Sequence, residues 1–162
     1  MSTYKTSMDP LTKGVTIGIT IVFAGLIVGR YSLINNAGRV DPVYTVVLLL
    51  SIYSIAFAFR PVNYKVSPDK LVITRLITDV HIPRTEITEV RLIDLRKLGP
   101  TVRTFGVSWL FGYFGDFFTF KKGKMTWYAT RKNRTVLVTT SAGKKIILTP
   151  DDPDGFIHDM KS

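Results

Sequence analysis

Two long apolar runs open the chain, and beyond residue 60 a two-residue alternation replaces them. Residues 14–29 hold 16 positions without a charge and residues 43–59 hold 17. Neither run has the polar stripe of a surface helix on a small globular domain. At about 1.5 Å per helical residue they span roughly 24 and 26 Å, near the lower limit for crossing a bilayer. Asp9-Pro10 and Asp41-Pro42 each read as an N-cap acid followed by proline in the first turn, which lengthens both helices. The pattern predicts transmembrane helices over about residues 10–34 and 42–60, joined by a short polar turn. Residues 1–9 are polar and are expected to fray.

From residue 61 the period is two. Val62, Tyr64 and Val66 alternate with Asn63, Lys65 and Ser67, the pattern of a half-buried strand. Further strands are predicted over residues 71–74, 77–82, 87–95, 116–120, 125–130, 136–140 and 146–149, with a bulge where the alternation slips between Leu92 and Ile93. A closing helix takes Asp152 as cap and Pro153 in its first position, with Phe156, Ile157 and Met160 on its apolar side. Short strands followed by one terminal helix predict a small β-sandwich or barrel plugged by that helix. The expected organisation is therefore an N-terminal tail and two-helix hairpin over 1–60, and an all-β module with a C-terminal helix over 61–162. The chain as a whole is membrane-anchored α+β.

Charge sharpens this picture. The net charge is +10, and from residue 61 onward there are 17 Lys and Arg against 10 Asp and Glu. Such a balance favours phosphate-bearing partners, and a membrane anchor makes anionic lipid the nearer one. No recognition helix or RNA-binding signature accompanies the charge, so nucleic acid is not an expected partner. Lys5, Lys13 and Arg60, Lys65, Lys70, Arg75 flank the outer ends of the runs, against Arg30 and Arg39 in the turn between them. By the positive-inside rule both termini lie in the cytoplasm, as expected of a multi-pass protein of the inner or plasma membrane. The chain has no cysteine, hence no disulfide and no thiolate metal site.

Several residue sets are candidates for function. Gly14, Gly18, Gly25 and Gly29 share one face of the first helix, and Ser51, Ser54 and Ala58 form a small face on the second. Such faces let helix backbones approach closely, either within one chain or between two copies. Lys121, Lys122, Lys124, Arg131, Lys132 and Arg134 lie in successive hairpin turns and are candidate lipid or partner contacts. A dense aromatic and glycine run extends from Phe105 to Phe120, whose rings either fill the sandwich or, Trp109 and Phe111 first, meet a membrane or protein surface. His81 and His158 are the only imidazoles, and no nucleophile, cation loop or acid-base pair lies beside them in sequence. No catalytic residue, metal ligand or cofactor is expected.

Four short runs carry a family resemblance: Arg103-Thr104-Phe105-Gly106, Phe111-Gly112-Tyr113-Phe114-Gly115, Tyr128-Ala129-Thr130-Arg131, and Thr149-Pro150-Asp151-Asp152-Pro153 with Phe156. Through them the last 100 or so residues resemble the bacterial pleckstrin-homology (PH) domain family, in its membrane-anchored branch. The resemblance implies two antiparallel sheets with a C-terminal helix across one open end, no enzymatic activity, and in some members self-association. The turn between the first two strands, Ser67-Pro68-Asp69-Lys70, departs from the basic lipid-binding signature of eukaryotic relatives. The expected function is thus a non-catalytic interaction or scaffolding module at the membrane, binding an unidentified protein or a second copy. The alternatives are an anionic-lipid sensor that uses the basic turns, and a membrane enzyme built around a histidine.

Overall fold

The computed structural model describes residues 1–37, 41–95, 99–108 and 110–162. The chain runs β1 (Ser2–Lys5), α1 (Pro10–Ala37), α2 (Asp41–Ala58), β2 (Pro61–Val66), β3 (Lys70–Arg75), β4 (Val80–Pro83), a 3-10 turn over Arg84–Glu86, β5 (Ile87–Ile93), β6 (Thr101–Ser108), β7 (Tyr113–Thr119), β8 (Gly123–Ala129), β9 (Thr135–Thr140), β10 (Lys145–Leu148) and α3 (Pro153–Lys161). One sheet has the order β1-β2-β3-β4 and the other β5-β9-β10-β8-β7-β6. The β9–β10 hairpin inserts between β5 and β8, so β10 runs parallel to β8 while the other neighbours pair antiparallel.

The core lies between the sheets. Tyr64, Leu71 and Ile73 from one sheet meet Val136, Val138, Ile146 and Leu148 from the other, and Phe156 and Met160 of α3 close the cluster. α3 starts where the sequence places it: the Asp152 carboxylate accepts the Gly155 N–H at 3.1 Å, and Pro153 fills the first turn, where no N–H is needed. β9 and β10 read as unbroken apolar runs because they are covered on both faces. Leu137 and Ile147, between the core residues, join Tyr113, Phe117, Met125, Trp127 and Ala129 in a second cluster on the opposite face of the larger sheet.

Four local expectations need correction. Residues 2–5 do not fray but form β1, paired antiparallel with β2 in the register Ser2↔Val66 to Lys5↔Asn63. Tyr4 supplies the energy: its ring meets Phe156 edge-on at 5.3 Å, and its hydroxyl donates to the Asp159 carboxylate at 2.6 Å. The strand expected from residue 77 begins only at Val80, since Arg75 closes a turn by donating its N–H to Asp79 and its Nε–H to the Thr78 carbonyl. Pairing is regular through Leu92 and Ile93, and the irregularity sits between Ile87 and Glu89. The apolar doublet arises because Ile93 packs on the second cluster while Leu92 is half exposed. β6 lacks an apolar alternation because it is an exposed edge strand.

β6 and β7 pair antiparallel and approach closely at a glycine pair. Gly106 lies opposite Gly115, both have φ above +100°, and a Cβ on either would stand 2.3 Å from a carbonyl oxygen of the other strand. Only glycine fits both the left-handed backbone and this spacing.

α1 and α2 form a hairpin inserted between β1 and β2, which are neighbours in one sheet. Thr20 Oγ1 and the Tyr53 hydroxyl lie 2.9 Å apart, and Phe23 packs on Tyr53 with ring centres 6.2 Å apart. Elsewhere the hairpin shows apolar side chains outward, including Ile17, Ile21, Val22, Leu26, Val47, Leu48 and Ile55. Pro10–Gly29 is long and apolar enough to cross a membrane, whereas the apolar stretch of α2, Tyr44–Ala58, is shorter.

Candidate interaction surfaces

The hairpin is rooted in the sandwich through the residues that precede and follow it. Thr6 Oγ1 lies 2.6 Å from Thr130 Oγ1 and donates to the Thr149 carbonyl at 3.0 Å. The buried Tyr64 hydroxyl donates to the Tyr128 carbonyl at 2.5 Å and accepts the Thr149 N–H at 3.2 Å. Burial pushes its pKa upward, so the phenol stays a neutral donor, as a dry site with a carbonyl partner requires. Asp9 caps α1 by accepting the Thr12 N–H at 2.7 Å.

Phe111 sits in this root. It is 5% exposed and adopts φ 60°, a left-handed conformation rare for a bulky residue. Its N–H donates to Thr16 Oγ1 at 3.1 Å. Its ring meets Tyr53 at 5.0 Å and Phe57 at 5.2 Å, while the Arg60 guanidinium stands 4.3 Å over Phe57. The protein contact Phe111 makes is therefore within its own chain, where it joins Leu110 and Ala56 in locking the sandwich to the helices. Trp109 lies outside the described residues.

The six basic residues do not form one surface. Arg131, Lys132 and Arg134 follow β8, at the end where Ala129 pairs with Tyr113 beside the helix root, whereas Lys121, Lys122 and Lys124 lie at its start, where Gly123 pairs with Thr119. A seven-residue strand separates the two turns by about 20 Å. Arg131 is tied to Asp151 at 3.1 Å and to the Pro150 carbonyl. Arg134 reaches Asp154 at 3.9 Å, and the Lys132 ammonium stands 4.8 Å over the Tyr113 ring. Lys124 pairs with Asp116 at 3.0 Å, which holds that carboxyl below its usual range.

A groove of about 1400 Å³ runs along the outer face of the larger sheet. Tyr113, Phe117 and Trp127 form its floor, and Arg103, Lys132 and Asp154 stand on its rim. Phe117 stacks on Trp127 at 4.4 Å, and the buried indole N–H has no hydrogen-bond partner among the described residues. Tyr113 and Phe117 were expected either to fill the sandwich or to meet a surface, and Trp127 only as part of a strand, because strand periodicity marks a residue as apolar without telling which face of a two-faced sheet it serves.

The glycine stripe of α1 is not used within the chain. A Cβ at Gly14, Gly18, Gly25 or Gly29 would meet no atom within 4 Å. The intrachain contact runs instead through Ile19, Thr20, Phe23, Tyr53 and Ala56. Ser51 and Ser54 are exposed, with Ser51 bonded back to its own helix at the Val47 carbonyl, and the Ala58 carbonyl accepts the Leu76 N–H. His81 and His158 are both exposed and line no part of the groove. Among the described residues no three His, Asp or Glu side chains stand close enough to hold a metal ion.

A family model described as Bacterial PH domain matches residues 62–162. The chain belongs to the bacterial PH-domain family. No curated protein and no solved structure matches it. PH domains are generally non-catalytic interaction modules. In this PH domain the runs that carried the resemblance lie at stitching points. Gly106 and Gly115 let β6 and β7 approach closely, Thr130 and Thr149 receive Thr6, and Asp151 receives Ser7 and Arg131.

Proposed function

We propose that this chain is a membrane-anchored PH-type interaction module, in which α1 and α2 cross the cytoplasmic membrane as a hairpin and hold the PH domain at its inner face. One observation carries the reading: β1 and β2 are hydrogen-bonded neighbours, yet the whole hairpin lies between them in sequence. Two paired strands occupy one side of a membrane, so a chain that leaves by α1 has to return by α2. The 18 residues of α2 extend about 27 Å, close to the hydrocarbon thickness, and mild local thinning covers the difference. Its outward apolar side chains are otherwise exposed to water at a cost no soluble helix carries. The excess of basic residues at the outer ends of the two runs favours cytoplasmic termini.

In this reading the module works by binding a protein partner or a second copy. The vacant face of Gly14, Gly18, Gly25 and Gly29 favours self-association between hairpins, with Ser51, Ser54 and Ala58 as the complementary small face. The alternative, an anionic-lipid sensor, draws on the basic turns. Only Arg131, Lys132 and Arg134 lie at the helix-proximal end, so Lys121, Lys122 and Lys124 serve better as contacts for a partner approaching from the cytoplasm.

Because the chain lacks cysteine, topology is open to direct test. With single cysteines at Ala37 and Ser141, an impermeant thiol reagent applied to intact cells is expected to label Ala37→Cys and leave Ser141→Cys untouched until the cells are opened. Labelling of Ser141→Cys alone inverts the topology, and equal labelling of both in a soluble fraction removes the anchor.

A further inference from the structure

The turn between β3 and β4 differs in chemistry from the other turns of the PH domain. Those after β7, β8 and β9 carry Lys121-Lys122-Gly123-Lys124, Arg131-Lys132-Asn133-Arg134 and Ser141-Ala142-Gly143-Lys144. This one presents Leu76 and Ile77, which are 54% and 67% exposed. Two adjacent large apolar side chains on the tip of a hairpin are a liability in water, and among the described residues nothing covers them.

The turn is also held in place. The Leu76 N–H donates to the carbonyl of Ala58, the last residue of α2, at 3.3 Å. Arg75 braces it from inside, with its Nε–H on the Thr78 carbonyl at 2.6 Å and its guanidinium 5.3 Å over the Phe59 ring. Leu76 and Ile77 are thereby fixed at the level where α2 ends, side by side with Phe59, itself 37% exposed.

We propose that Leu76 and Ile77 form a second membrane contact, dipping into the boundary between headgroups and hydrocarbon beside the emerging α2. The inference rests on the reading of α2 as a membrane span. From that reading the depth follows, because a backbone hydrogen bond to the end of a span puts the turn at the same level. Arg60 and Arg75 flank the apolar tip at headgroup height, each with its guanidinium over a ring, Phe57 for Arg60 and Phe59 for Arg75, where their charges also meet lipid phosphates. The hairpin and the turn together give the PH domain two points of support, which fixes which of its faces points along the membrane and which toward the cytoplasm.

The test uses the full chain with single cysteines carrying nitroxide labels, reconstituted in vesicles of phosphatidylcholine and phosphatidylglycerol. Ile77→Cys reports the turn, Leu76→Cys repeats it at a neighbouring site, Ile21→Cys reports the span and Ser141→Cys the water-exposed far turn. Collision with oxygen relative to a water-soluble nickel chelate is expected to be several-fold higher at Ile77 and Leu76 than at Ser141, and lower than at Ile21. Labels at 76 and 77 that behave like Ser141 while Ile21 lies in lipid overturn the second contact and leave the anchor intact. Labels there shielded from both reagents mean that protein covers the turn, which also overturns it. A water-exposed label at Ile21 removes the anchor itself, and the inference with it.

Discussion

Ser7 and Asp151 grip each other at two points, the Ser7 N–H on Oδ1 at 3.0 Å and its hydroxyl on Oδ2 at 2.8 Å. The same carboxylate holds Arg131 at 3.1 Å, and the Asp151 N–H donates to the Lys5 carbonyl. One acid thus ties the chain entering α1 to the segment entering α3. Replacing it with alanine removes three charge-assisted contacts at a partly buried site, a loss of about 1–3 kcal/mol. Asp151→Ala is therefore expected to speed amide exchange across β1 by about ten- to hundred-fold without altering exchange in β9 and β10. Unchanged exchange in Ser2–Lys5 would show that β1 is held by Tyr4 alone.

This grip was not legible in the sequence, although both of its ends were. Asp151 reads only as one residue of the Thr149–Pro153 run and Ser7 as part of a fraying tail, and nothing local relates residues 144 positions apart. What could be read was what period and capping encode. The two apolar runs became helices, the alternation of Val62, Tyr64 and Val66 became a strand, and Asp152-Pro153 starts the closing helix. β1 has one apolar residue in Tyr4, too few to register as alternation, and β6 faces solvent on an edge. The separation of the six basic residues was hidden for a different reason. Hairpin turns adjacent in sequence fall at opposite ends of the strand that joins them, so Lys121 and Arg131 part company once β8 forms.

The docking of β1 carries its own pH window. Burial first, and then the hydrogen bond and charge of Asp159, push the Tyr4 phenol up to about 12 from 10.0. Hydrogen bonds from Ser2 and Tyr4 hold the Asp159 carboxyl below its ordinary value. A raised tyrosine stabilises fully below its unfolded value of 10.0 and loses that contribution as pH climbs toward about 12. A depressed carboxylate stabilises above its unfolded value of about 3.9 and loses that contribution as pH falls through the lower folded value. Tyr4→Phe keeps the ring on Phe156 but removes the hydroxyl, so it is expected to cost about 1 kcal/mol between these limits. It also deletes the late step in the ultraviolet titration of tyrosinate. Persistence of that step in Tyr4→Phe would assign it to the other phenols whose values burial raises, Tyr64, Tyr113 or Tyr128.

Glycines in the two halves of the chain answer alanine with opposite signs. At Gly106 and Gly115 a Cβ would collide with backbone at 2.3 Å, and the left-handed φ adds strain of about 1–3 kcal/mol. Either Gly106→Ala or Gly115→Ala is expected to lower the unfolding midpoint and open β6 to amide exchange. At Gly14 and Gly18 the Cβ meets nothing within 4 Å, and alanine is the better helix former by about 1 kcal/mol. Gly14→Ala with Gly18→Ala is expected to leave the monomer as stable or more so. If hairpins associate through this stripe, the same pair weakens crosslinking between copies in the membrane, and unchanged crosslinking rejects that surface.

The insertion of the helical hairpin between paired strands makes it removable. Lys5 lies opposite Asn63, so the two ends of the excised segment are close, and a glycine-serine linker of about ten residues, with an end-to-end distance of about 17 Å, bridges Ser7 to Pro61. Loss of the helices uncovers Leu110 and Phe111. Leu110→Ser and Phe111→Asn restore a polar turn, asparagine being tolerant of the left-handed backbone at 111. This chain is expected to be soluble and to unfold cooperatively. A fragment that starts at Pro61 lacks Tyr4 on Phe156 and leaves the β2 edge bare, so it is expected to be less stable by about 2 kcal/mol or more. Denaturant midpoints of the two proteins decide the matter. Equal midpoints would make β1 an ornament of the helical hairpin, whereas the expected gap makes residues 2–7 part of the PH domain and explains why its first strand precedes α1 and α2 in the chain.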